Sequence, residues 1–186
     1  MADSPLDTIL KELDQALQAG LCYMAVTSAL TLPDICAALA AHDGQTSKEK
    51  YIAWCEAWLQ NSSLSPKDLY SLRCGVVHNG KLIGHKDKLE YSRVIFSLPG
   101  YGAVHNVQIA GSPAAMFLAD PREAVRAQGK NPLFLDSISF CQEIIAAVRA
   151  WFAQEGTGTV VRGNMTNVLL LRPNGLTPYV NWPVIA

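Results

Sequence analysis

Leu6, Leu10, Leu13 and Leu17 recur at the spacing of one helical face, with Asp3 and Ser4 able to cap the start and Gly20 at the end. Cys22 to Leu30 continues as an apolar helix. Leu32-Pro33-Asp34 then opens another, because Pro fits a first turn and Asp34 suits the positive helix end. His42-Asp43-Gly44 closes that helix, so Leu21 to Ala41 predicts a buried pair of core helices. Ser47 reads as the cap of a third helix whose face is Tyr51, Trp54, Cys55 and Trp58. Ser65-Pro66-Lys67-Asp68 is a stronger start signal, with a capping serine, Pro at the first position and an acid at the third. That helix runs through Leu69, Leu72 and Val76 and stops at Asn79-Gly80, a pair that favours left-handed termination.

From Tyr91 the period shortens. Tyr91 to Leu98 and Val104 to Ile109, separated by Pro99-Gly100-Tyr101-Gly102, predict a β-hairpin, and Met116 to Ala119 adds a further strand. Asp136 to Ala153 returns to helical spacing through Ile138, Cys141, Ile144, Ile145, Val148, Trp151 and Phe152. Gly156-Thr157-Gly158-Thr159 follows that helix and reads as its termination, and Val168 to Leu171 reads as a short strand. The expectation is a single domain over 1–186, mainly α and α+β overall. It has a helical part (1–80), a β insertion (91–119), a final long helix (136–154) and a tail (160–186).

Composition narrows the class. Nearly half the residues are apolar (49%) and 17% are charged, which is globular and not disordered. The N-terminal stretch is acidic and lacks the basic start and apolar run of a secretory signal. The Leu21–Ala41 window has the length of a membrane span, but Pro33 and Asp34 in its middle are costly in lipid, so a soluble, cytoplasmic protein with no membrane partner is expected. Five cysteines, at 22, 36, 55, 74 and 141, form no C-x-x-C pair, and buried reduced thiols explain them better than disulfides or zinc. The four histidines are dispersed, so neither metal nor cofactor is expected. Charge is uneven: residues 1–60 carry a net of −5 and residues 61–93 a net of +3. A solvated surface accounts for this, and so does a local phosphate-binding region.

The basic stretch contains the chemically informative phrase. On a helical wheel Leu69, Leu72, Val76 and Val77 share one sector with Arg73, a permanent cation that there needs a carboxylate, a carbonyl or an anionic ligand. His78 falls in the last turn, where it can cap the helix or move protons. Arg73 and His78 together resemble the R-x4–6-H signature of the HEPN family. The wider string Leu32-Pro33-Asp34-Ile35-Cys36, Gly44, Tyr51, Trp54, Leu72-Arg73-Cys74 and His78 is similar to a group of uncharacterised bacterial proteins over residues 20–80 and implies no activity.

The HEPN resemblance implies a helical bundle, a homodimer and a metal-independent endoribonuclease. Arg73 would bind the scissile phosphate and His78 would act as general base or acid, leaving a 2′,3′-cyclic phosphate and a 5′-OH. Lys81, His85, Lys86 and Lys88 are the expected substrate-binding residues on RNA. Two features depart from the family. Cys74 stands where a polar residue, often Asn, is common, and residues five apart on an ideal helix point roughly 140° apart. Convergence therefore calls for a distorted last turn or a second copy across a two-fold axis. The alternative is an inactive HEPN-like module that binds a nucleotide or a protein, such as an antitoxin or nucleotidyltransferase partner. A thiol enzyme built on Cys74 and His78, which share a helix face, is the third reading. The Trp54/Trp58 pair reads as core, and His105 as a surface histidine.

Overall fold

Helix-start signals act locally, and the structure uses those at Ser4, Ser47 and Ser65. In the computed structural model, which describes residues 4–60, 62–82, 91, 93–98, 132–169 and 171–186, α1 spans Pro5–Gln18. The Ser4 hydroxyl accepts the Asp7 N–H, and the Asp7 carboxylate accepts the Ser4 N–H in return. Ser47 caps α3 (Lys48–Trp58), and Ser65 caps α4 (Pro66–Asn79) with Pro66 in its first turn. Gly80 ends α4 in the left-handed conformation (φ 62°), and Lys81 N–H closes onto the Gly75 carbonyl. Asp136 caps α5 (Ser137–Glu155) through the Ser139 N–H.

The expected pair of helices at 21–41 is instead one helix, α2 (Cys22–Ala40), with Pro33 inside it. Proline removes one rung of the hydrogen-bond ladder, but Ala29, Leu30, Leu32 and Cys36 are fully buried around it, so tertiary packing holds the turn. The Thr27 and Thr31 hydroxyls donate to the carbonyls of Tyr23 and Ser28, and Tyr51 donates to the Leu30 carbonyl at 3.3 Å. Among the described residues, α2 alone is long and apolar enough to cross a membrane, yet 61% of that window is buried inside the protein. It is the hub of the bundle and packs against α1, α3, α4 and α5.

The structure adds a strand pairing that sequence analysis did not contain. β1 (Val94–Ser97) pairs in parallel with β2 (Leu133–Asp136), in register from Val94–Leu133 to Ser97–Asp136. A parallel pair needs a long crossover. The expected strands Val104–Ile109 and Met116–Ala119 lie outside the described residues. Val94, Leu133 and Leu135 face the core, and Phe96 meets Phe140 edge-on at 5.1 Å, which seats the pair on α5.

α5 is not the last helix. The Gly156–Thr159 phrase ends α5 at Gly156 and starts α6 (Thr159–Met165) from Gly158, and α6 packs on α2. The expected tail strand is shorter and shifted: β3 (Leu171–Arg172) pairs antiparallel with β4 (Val184–Ile185). The described chain is thus mainly helical with two small sheets.

Candidate functional site

The site forms where α4 crosses α2. Leu69, Leu72 and Val76 turn one face of α4 into the core, while Val77 is 37% exposed and not core. Arg73 sits at the edge of the buried sector with 19% of its side chain accessible. Its Nε donates to Asp34 Oδ2 at 2.6 Å, and the Asp34 side chain is 13% accessible. Asp34 Oδ1 accepts the Thr46 hydroxyl at 3.3 Å, so both carboxylate oxygens are used. Burial works against the Arg73 charge, but the adjacent Asp34 carboxylate outweighs it and raises the guanidinium pKa above its ordinary value.

Arg73 Nη1 lies 2.9 Å from His78 Nε2. Guanidinium has only donors, so His78 accepts at Nε2 and carries its proton on Nδ1. This corrects the expectation that convergence needs a distorted turn or a second subunit, since α4 is helical to Asn79 and both side chains belong to one chain. Five residues of helix rise only about 7.5 Å, and a long arginine side chain bends around that distance. Asp34, Arg73 and His78 therefore form a chain running from the half-buried Asp34 to the exposed imidazole.

Neutral groups back this chain on the core side. Tyr51 is fully buried and meets Tyr70 edge-on at 5.4 Å. Burial pushes the Tyr51 hydroxyl well above its ordinary value, and pushes the neighbouring Cys55 thiol up to about 12. Cys74 is buried and lies beside Tyr70 and Arg73, while His78 turns its Nε2 to Arg73. That arrangement does not pair thiol with imidazole, which removes the geometry a Cys74–His78 nucleophile needs.

Of the expected substrate-binding residues, Lys81 is exposed directly after the α4 cap. His85, Lys86 and Lys88 lie outside the described residues, as does His105. Trp54 is core, and the partly buried Trp58 packs against the core cluster. Asp34 is the site residue that sequence reasoning missed, having assigned it to a helix start. Its signal was present: it is the single charged residue between Leu21 and Ala41, and a lone acid in an apolar helix needs a cation. Among the described residues, no group of three His, Cys, Asp or Glu side chains is placed to hold a metal ion.

Chemically, the arrangement offers a guanidinium oriented by a carboxylate, with Nη2 outside these contacts, beside an exposed imidazole. It can receive an anionic oxygen and exchange a proton with a neighbouring hydroxyl. Comparison of the chain with protein-family models, with curated proteins and with solved structures finds no match.

Proposed function

We propose that the chain is a HEPN-like, metal-independent endoribonuclease that acts as a cytoplasmic homodimer. The observation that carries the reading is the 2.9 Å contact between Arg73 and His78, with Arg73 oriented by Asp34. RNA supplies its own nucleophile. The 2′-oxygen attacks phosphorus, its proton passes to His78 Nε2 once the Arg73 contact opens, and the P–O5′ bond breaks. The leaving 5′-oxygen takes a proton from water or from the imidazole of a second subunit. Arg73 neutralises charge that develops on the phosphorane. Lys81, with His85, Lys86 and Lys88, would track the backbone phosphates.

In this reading Arg73→Ala and His78→Ala each abolish RNA cleavage, and EDTA leaves it intact. Cys74→Ser retains it, because the thiol has no part in the proton transfers. Activity falls with added salt as phosphate contacts are screened. Assay of the purified chain on a panel of single-stranded and hairpin RNAs decides the matter, with product ends mapped for 2′,3′-cyclic phosphate.

A second reading is an inactive HEPN-like module that binds a nucleotide or a protein of the antitoxin or nucleotidyltransferase kind. Two observations favour it: Asp34 already occupies Arg73 Nε, and Cys74 is buried at the position where a polar neighbour is common. A chain that cleaves nothing across the panel, yet binds a partner in an Arg73-dependent way, establishes that module.

A further inference from the structure

A cavity of about 520 Å³ lies between the start of α1, the end of α5, α6 and the tail, and none of its lining residues belongs to the Arg73 site. Pro5, Phe152, Met165 and Val168 give it apolar walls, and Arg162 and Arg172 line it with positive charge. Arg172 Nε is buried with no hydrogen-bond partner. Among the described residues neither arginine has a carboxylate partner. A guanidinium cannot shed its charge, and the buried N–H of Arg172 has lost its water without gaining an acceptor. An anion in the cavity supplies that acceptor and meets the charge of both arginines that line it. The α1 end is not its seat, because Ser4 and Asp7 already satisfy each other there.

We infer that this cavity binds a small organic anion, a carboxylate or phosphate head on an aliphatic or aromatic body. The head meets Arg162 and Arg172 in charge-assisted hydrogen bonds, and the body covers Phe152, Met165 and Val168. The volume falls within the range of small-molecule sites, which pair apolar walls with a few converging polar groups. Inorganic phosphate alone satisfies the charges and leaves the walls wet, so the body is part of the recognition. The inference does not depend on the Arg73 chemistry.

Calorimetric titration of the full chain with octanoate, octyl phosphate, octanol and inorganic phosphate tests it. Saturable one-to-one binding is expected for octanoate or octyl phosphate, and the tighter of the two identifies the head group. Octanol and inorganic phosphate should each bind at least roughly tenfold more weakly, since each supplies half of the recognition. Arg162→Gln, at the exposed side of the cavity, should weaken binding roughly tenfold with an unchanged circular dichroism spectrum. Arg172→Lys keeps the charge but loses the planar fork, and should weaken it to a smaller extent. Arg73→Ala should leave the affinity unchanged, which separates this site from RNA cleavage. The proposal is overturned if octanol binds as tightly as octanoate, if Arg162→Gln binds undiminished, or if none of the probes binds saturably.

Discussion

Asp34 and Arg73 are 39 positions apart in the chain and 2.6 Å apart in space. The pair is only slightly accessible to water, so the Coulomb attraction is weakly screened while each charge has given up much of its hydration. Removing one partner strands the other. Asp34→Ala should therefore lower stability by about 1–3 kcal/mol, read by urea unfolding. The double variant with Arg73→Ala should lose less than the sum of the two single losses; strict additivity would show that the pair does not couple. Glu143 shows the opposite electrostatics. Burial raises its carboxyl pKa above the ordinary 4.5 against a hydrogen bond from Ser62, and its Oε1 has no partner. The folded state thus prefers protonated Glu143. Its stabilising contribution is complete below about 4.5 and is lost as pH rises through the raised folded value. Glu143→Gln should raise the melting temperature at pH 8 and leave it nearly unchanged at pH 4. Equal shifts at both pH values would contradict this origin. At this scale the needs of Arg73 for an anion and of Asp34 for a cation were each readable from a charge among apolar neighbours, whereas their pairing was decided by the packing of α4 on α2.

Helix ends were the most legible elements, because a cap is decided within about four residues. Ser4, Ser47, Ser65 and Asp136 each accept the N–H of the third residue of the helix they start. The C-terminal end of α2 is different. It has no glycine cap, and its carbonyls are met from another element: Asn164 Nδ2 on α6 donates to Leu39 O at 3.0 Å and Ala41 O at 2.7 Å. Asn164→Ala should cost about 1–2 kcal/mol, measured by chemical unfolding, and should speed amide exchange at the residues around Ala41. A variant with wild-type stability would mean that water replaces the amide without loss. β2 was legible in principle, since Leu133 and Leu135 alternate with half-buried neighbours. Its short run abuts a strong helix start and reads as the lead-in to α5, and its partner lies 39 residues earlier.

The whole molecule is organised around α2, and its thiols report on that packing. Cys22, Cys36, Cys55, Cys74 and Cys141 are all buried and free. Burial pushes Cys55 and Cys141 up to about 12 and raises Cys36 further, so little thiolate is present at neutral pH. A disulfide-exchange reagent should titrate five thiols in denaturant without prior reduction and react with almost none in the folded state. Rapid reaction of several thiols in the native protein would show that the core opens far more readily than this packing allows. The mainly helical class follows from composition and periodicity. The placement of α6 against α2 does not, because α6 is only 7 residues long and too short to show a helical period.

Sequence alone determined the features that rest on neighbours in the chain: where α1, α3, α4 and α5 begin, where α4 ends at Gly80, and that Arg73 needs a partner. Capping bonds and helical periodicity act over three or four residues, and both can be read directly. Tertiary structure alone decided that α2 continues through Pro33, that β1 and β2 run parallel, and that Asp34 faces Arg73. It also placed Arg162 and Arg172 on one cavity. In each of these cases the stabilising contact joins segments distant in the chain, and packing energy outweighs the local preference of the residues involved.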